Sequence, residues 1–205
     1  MDYPGKSLVC MITEEAMNTD NVSYGNWKKL KKNLKENELI WFMDETTVTL
    51  ESGVLYDWMQ TNTRRLIKTN RSYKCDCIIG GVSPDIGETV FIQTDKIDSQ
   101  TVSMFIQELS ENYSDYDNIL ILDNASFHVA QGTPDFPVPE NIRLLYLPTY
   151  SPDFNPIERL WKYFKDEFIK NRFYENIYHL RNTVNDALYN LLNNQNTVKS
   201  ICSTY

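Results

Sequence analysis

The sequence has no apolar run long enough to cross a membrane. Its longest runs, such as Ile119–Leu122, fall far short of the roughly 20 residues that a spanning helix needs. The first ten residues, MDYPGKSLVC, lack the basic and then apolar segments of a secretory signal. We therefore expect a soluble intracellular protein.

Cysteine and histidine are scarce, which argues against two kinds of site. Cys75 and Cys77 are separated by one residue and no second pair follows, so the four cysteines do not form a zinc pattern. Only two histidines occur, and Ser126 and His128 lie outside any Gly-x-Ser-x-Gly motif. A serine hydrolase is therefore a poor match, and we expect reduced thiols.

An excess of positive charge is also lacking, because 28 acidic and 20 basic residues give a net charge of −8. Phosphate binding needs cations, so this average argues mildly against a nucleic-acid partner. Two basic clusters, KKLKKNLK at 28–35 and the five cations of Thr63–Lys74, run against the average. Such clusters are more often solvated surface, but these are also candidates for contact with a phosphate backbone.

The chain is rich enough in apolar residues, at 41%, to form one domain with a substantial core. We predict a polar arm over residues 1–38, a domain over 39–192 and a polar tail over 193–205. The arm includes a lysine-rich helix candidate at Asn26–Asn37.

The alternation of apolar and polar residues predicts strands, and apolar residues at helical spacing predict helices. The predicted order is three strands, a helix, two strands and two helices, which is an α/β domain with a mixed sheet flanked by helices. The predicted strands are Leu39–Thr49, Cys75–Val82, Glu88–Gln93, Ile119–Leu122 and Ile142–Leu147; the helices cover 99–112, a segment that Asn155 caps, and a segment around Ile177–Leu191.

Three acids lie on elements that such a sheet brings together. Asp44 lies within the first strand, Asp123 ends the fourth, and Glu158 lies in the first turn of the helix that follows the fifth. Clustered carboxylates repel one another unless a cation is present, and Mg²⁺ prefers oxygen ligands. Each acid also has an ordinary explanation: a strand-ending turn, an Asx turn, and a capping box with Asn155. Only the combination favours a metal site.

Three motifs resemble the catalytic core of DDE transposases, in particular the bacterial insertion-sequence branch of the mariner-like superfamily. They are FMDETT at 42–47, LILDNASFH at 120–128 and YLPTYSPDFNPIERLWKYFK at 146–165, and 34 residues separate Asp123 from Glu158, the spacing of that branch. The resemblance covers about residues 39–192. It implies a ribonuclease H-like fold, with Asp44, Asp123 and Glu158 as the catalytic, metal-binding triad for two Mg²⁺ ions that Mn²⁺ can replace.

The resemblance also implies cut-and-paste DNA transposition. Water hydrolyses the phosphodiester at each transposon end, and the freed 3′-hydroxyl attacks target DNA at a TA dinucleotide. The implied partners are the terminal inverted repeats, the target DNA and a second copy of the chain when two ends are paired. The implied location is the cytoplasm, at the nucleoid, or the nucleus of a eukaryotic host.

Two alternatives stay open. One is a ribonuclease H-like nuclease that cuts without joining; the other is an inactive or domesticated remnant that only binds DNA. Full-length relatives carry an N-terminal helix-turn-helix region, and 38 residues are too few for two such modules, so we do not expect this chain alone to read transposon ends. Asn124, as a residue that orients a ligand or DNA, and His128, as a phosphate contact, are left outside the triad.

Overall fold

The computed structural model describes residues 34–51, 60–62, 66, 68, 70, 72–123, 137–147 and 155–202. These residues form five strands and four α-helices: β1 Glu38–Thr49, β2 Cys75–Ser83, β3 Glu88–Thr94, α1 Ser99–Asn112, β4 Asp117–Leu122, β5 Ile142–Tyr146, α2 Ile157–Phe164, α3 Ile177–Leu192 and α4 Gln195–Cys202. None of these helices has the length and apolarity that a membrane span requires.

The five strands form one mixed sheet in the order β3-β2-β1-β4-β5. β1 pairs antiparallel with β2, which pairs antiparallel with β3. β4 is parallel to β1, and β5 is parallel to β4. The long strand β1 is therefore central, and the carboxyl end of β4 lies beside its middle, with β5 at the edge of the sheet beyond β4.

Helices cover both faces of the sheet, so the protein has two cores. On one face α1 covers the sheet with Val102, Phe105, Ile106 and Leu109, all fully buried. On the other face α2, α3 and α4 pack over the even-numbered residues of β1. We call this second face the three-helix face.

Most of the elements predicted from periodicity are confirmed. The helix over 99–112 has the predicted bounds, and Asp98 and Thr101 form a capping box at its start. The predicted strands agree with the observed ones to within two residues at each end. The predicted turn at 83–87 joins β2 to β3, where the Gly87 N–H donates to the Ser83 carbonyl at 2.8 Å.

Three segments differ from what the sequence suggested. The range predicted as a polar tail contains α4, whose Val198 and Cys202 are buried against α2 and α3. Two apolar residues one turn apart are too weak a pattern to indicate a helix. The chain also continues from α2 into a π-helical turn over Lys165–Ile169. Of the predicted helix at Asn26–Asn37, only residues 34–37 are described, and they are not helical.

A buried ion pair holds α3 against the sheet. Asp76 of β2 is fully buried and accepts a hydrogen bond from Arg181 Nε at 3.2 Å. Gln93 also donates to Asp76, and Arg181 contacts Asp95. A cavity of about 220 Å³ lies among these side chains. Since the Asp76 carboxylate already has its partners, we interpret this cluster as structural.

Candidate active site

Asp44 lies in the stripe of β1 that belongs to the three-helix face. Side chains alternate along a strand, and Ile40, Phe42 and Val48 of the same stripe are all buried in that core. Asp44 is itself half-buried. A carboxyl group thus occupies a position where the rest of the stripe is mostly apolar.

Asp123 approaches the same place from the neighbouring parallel strand. Phe42 and Ile121 are the last paired residues of β1 and β4, and Asp44 and Asp123 each follow two positions later. The period of two places both acids on the face of Phe42 and Ile121, which is the three-helix face. β1 and β4 are neighbours, an arrangement that the sequence allowed, and Asp123 is exposed just beyond the end of β4.

Glu158 comes from the helix that packs across this part of the sheet. It lies in the first turn of α2 and is exposed, next to the fully buried Ile157. The inner face predicted for this helix is confirmed, since Ile157, Leu160, Trp161 and Phe164 are all buried. These anchors hold the start of α2 over β1, close to Asp44.

Electrostatics shows that the three acids are near one another. Burial raises the pKa of Asp44 to about 7, and the negative charges of Glu45, Glu158 and Asp123 add to the rise. A backbone hydrogen bond at Glu45 acts in the opposite direction. Near neutral pH the Asp44 carboxyl group is therefore close to half protonated, and a bound cation would favour its ionised form.

One lysine faces the acids from the far end of α2. Lys165 is half-buried and follows Glu158 by seven residues, about two turns along the same helix face. Burial lowers the pKa of Lys165, and the nearby Asp44 carboxylate counteracts that effect. Lys162 and Lys170 instead both pair with Asp166, at 2.9 and 2.6 Å. Lys165 thus supplies positive charge beside Asp44.

Gly80 of β2 leaves space for the side chain of Trp161, which lines the site next to Asp44. Gly80 is the cross-strand partner of Asp44. A Cβ atom at Gly80 would lie 2.4 Å from Cη2 of Trp161, so the indole ring packs directly on the glycine backbone. Trp161 is 4% exposed and covers the sheet next to Asp44. Sequence reasoning placed Trp161 in the core but gave no reason to single out Gly80.

The donors available at this site are oxygen atoms of Asp44, Asp123 and Glu158, the ligand type that Mg²⁺ and Mn²⁺ prefer. Among the described residues, no group of three or more His, Cys, Asp or Glu side chains is already arranged to hold a metal ion. The acids are close enough to repel one another but are not a preformed ligand set. Asn124, Ser126 and His128 lie outside the described residues.

Comparison with known families identifies the kind of protein. A family model described as "DDE superfamily endonuclease" matches residues 39–181, which is more than half of the chain. The chain belongs to the DDE superfamily endonuclease family. The matched range contains all three acids, and the resemblance inferred from the motifs is confirmed.

Two similar proteins show what share of a relative's length this chain covers. It is 33% identical over 99 residues to the uncharacterised protein y4pE/y4sA of Sinorhizobium fredii, covering 48% of this chain and 71% of the relative. It is 28% identical over 175 residues to the Tc3 transposase of Caenorhabditis elegans, covering 75% of this chain and 50% of the relative. The chain therefore spans half the length of the Tc3 transposase.

Solved structures of the Mos1 mariner transposase share the fold of this DDE chain. The Mos1 paired-end complex with Mg matches 88% of this chain and 60% of its own, with a TM-score of 0.59 at 12% identity. The corresponding complex with Mn has a TM-score of 0.57 at 13% identity, covering 87% of this chain and 59% of its own. The ribonuclease H-like fold that the motifs implied is confirmed.

The packing of Trp161 on Gly80 predicts that a methyl group at this position will alter the site. Gly80→Ala displaces the indole ring, lets water reach Asp44 and lowers the pKa of its carboxyl group, measured by ¹³C NMR titration. Gly81→Ala is the matched control, since its Cβ would lie 2.8 Å from Cζ of Phe105 on the opposite face. Both variants lose about 1–3 kcal/mol of stability by overpacking. Equal pKa changes in the two variants would contradict the arrangement.

The raised pKa of Asp44 predicts a specific dependence of stability on pH. Between the ordinary value of 3.8 and about 7, the folded protein holds a proton that the unfolded chain releases. Stability therefore falls as pH rises through that window, and then levels off. Asp44→Asn removes this loss and should stabilise the metal-free protein by about 1–3 kcal/mol above pH 7, with no gain near pH 3.

Urea unfolding across this pH range measures the effect. Asp117→Asn is the control, because Asp117 is an exposed acid at the opposite end of β4. This variant shows what the loss of an acidic side chain outside the site does to stability. If Asp44→Asn gives a stability curve parallel to that of the wild type, Asp44 has no raised pKa in the folded protein.

Proposed function

We propose that the chain is the catalytic domain of a DDE transposase, which cuts DNA at transposon ends and joins them to target DNA. The observation that carries the proposal is the convergence of Asp44, Asp123 and Glu158, from two parallel strands and a helix, strongly enough for two of them to raise the pKa of the third. The family membership and the Tc3 and Mos1 likenesses support the same reading.

The three acids fit divalent cations. Their donors are all carboxylate oxygens, and the pKa of Asp44 is raised mainly by burial and further by nearby negative charge, which a cation would offset. Asp44, Asp123 and Glu158 are the residues that would hold the ions. When bound, two such ions activate the attacking oxygen and stabilise the leaving oxygen in phosphoryl transfer.

The protein contributes position and charge rather than covalent chemistry. Asp44, held by β1, would bind a cation in its ionised form, and its proton would pass to solvent water. Glu158 is fixed by the buried face of α2, and Asp123 by the end of β4. The half-buried Lys165 ammonium adds positive charge at the edge of the site, where a DNA phosphate approaches.

The partners in this proposal are DNA and a second copy of the chain. The terminal inverted repeats are the substrate for hydrolysis, and a TA dinucleotide in target DNA receives the freed 3′-hydroxyl. Transposition joins two ends, so we propose a homodimer assembled on paired ends. An N-terminal DNA-reading region would supply sequence recognition, and that role is not assigned to residues 39–192.

Mn²⁺ binding tests the site before any DNA is identified. Electron paramagnetic resonance should show Mn²⁺ bound to the wild type, with an affinity that Asp123→Asn lowers by more than about 100-fold, beyond the cost of losing a merely supporting group. Asp117→Asn, on the same strand, should bind Mn²⁺ like the wild type. Equal binding in all three proteins, or none in any, would contradict the proposed metal site.

A DNA joining assay then distinguishes the three candidate functions. The protein is incubated with Mn²⁺, a supercoiled plasmid and a labelled DNA duplex that carries a free 3′-hydroxyl. Joined products that Asp123→Asn abolishes support a transposase. Cut plasmid without joined products supports a ribonuclease H-like nuclease. DNA binding that is the same in the wild type and in Asp123→Asn, without cutting or joining, supports a non-catalytic remnant.

A further inference from the structure

Asn155 is a buried side chain that connects β1 to α2. It lies two residues before the first residue of α2, separated from it by Pro156, and is 6% exposed. Its Nδ2 donates to the Met43 carbonyl at 3.0 Å, and its Oδ1 accepts from the Ile157 N–H at 3.3 Å. Met43 precedes Asp44, and Ile157 precedes Glu158. One amide group therefore contacts the neighbours of two of the three acids.

The bond to Met43 is made where pairing between β1 and β4 stops. Phe42↔Ile121 is the last pair of that ladder, so the Met43 carbonyl lies just beyond it. The Asn155 amide continues the hydrogen bonding of β1 at this point with a group from the segment that leads into α2. The backbone carbonyl of Asn155 also accepts from the Glu158 N–H at 3.2 Å. The start of α2 is thus tied to β1 beside Asp44.

The asparagine amide satisfies both partners. The Met43 carbonyl needs a donor and the Ile157 N–H needs an acceptor, and asparagine offers one of each. An ionised aspartate keeps the acceptor but turns a carboxylate oxygen towards the Met43 carbonyl. Alanine removes both bonds and leaves two buried backbone groups without these partners.

We propose that Asn155 is the positioning residue that sets the separation of Asp44 and Glu158, and so decides whether the acids can share a metal ion. The inference rests on the proposed function of the site. The sequence suggested that Asn155 caps the helix, but Pro156 occupies the N-cap position and no side chain caps the helix there. Asn155 lies one residue earlier, where its side chain joins the Ile157 N–H to the Met43 carbonyl of β1.

Asn118 provides a matched control for a purely structural role. It is 1% exposed, accepts from Trp41 Nε1 at 3.0 Å and donates to the carbonyls of Tyr113 and Tyr116. Like Asn155, it is a buried amide with backbone partners. It lies near the start of β4, at the end of the strand away from Asp123.

The test compares Mn²⁺ affinity and urea stability in Asn155→Ala, Asn155→Asp and Asn118→Ala. Both alanine variants should lose stability, but only Asn155→Ala should weaken Mn²⁺ binding, by about tenfold to 100-fold. Asn155→Asp should also weaken it, although its added negative charge by itself would attract the cation. Wild-type Mn²⁺ affinity in Asn155→Ala, or tighter binding in Asn155→Asp, would overturn the proposal.

A readout without metal keeps this inference separate from the proposed function. Crystal structures of the metal-free variants should show a wider separation of the Asp44 and Glu158 carboxyl groups in Asn155→Ala than in the wild type, and no such change in Asn118→Ala, because Asn155, and not Asn118, ties the start of α2 to β1. If wild-type protein binds no Mn²⁺, the proposed metal site fails. An unchanged separation in Asn155→Ala would show that Asn155 does not position the acids.

Discussion

The placement of the Asp44 carboxyl group among the buried apolar side chains of β1 is the constraint on which the rest of the site depends. Asp44 follows Ile40 and Phe42 on the face of β1 that three helices cover, and burial is the largest cause of its raised pKa. Asp123 and Glu158 add negative charge from β4 and α2. The fold thus holds together three groups that repel one another, and the packing energy of the surrounding core offsets that repulsion until a cation is present.

The neighbouring residues make this arrangement compatible with a packed core. Gly80 leaves the space that the indole ring of Trp161 fills, and this ring shields the neighbouring position of Asp44 from water. Asn155 joins α2 to β1 at the point where β4 stops pairing with it. Both contacts fix the helix that carries Glu158 on the sheet, at β2 through Gly80 and at β1 through Asn155. The geometry of the site is therefore set by residues that need not touch a metal ion or DNA.

The sequence predicted most of the elements because those depend on local pattern, whereas the role of Asp44, Asp123 and Glu158 as ligands was implied by the motifs and stays a prediction. Helical spacing of Val102, Phe105, Ile106 and Leu109 was enough to give the bounds of α1, and the motifs indicated the family and the fold. Contacts between distant segments were not predictable in this way. The Asn155 amide meets a carbonyl 112 positions away, and Gly80 matters only because Trp161 lies above it. α4 was missed because its burial depends on two residues that meet the other helices only after folding.

The most direct test of this account is the number of protons released when Mn²⁺ binds. Calorimetric titration in buffers of different ionisation enthalpy gives that number at each pH. With a pKa of about 7, Asp44 is mostly protonated a unit below that value, so binding near pH 6 should release about one proton, and binding above pH 8 almost none. Release of no proton near pH 6 would contradict the claim that Asp44 is held protonated by burial and by its acidic neighbours until a cation binds.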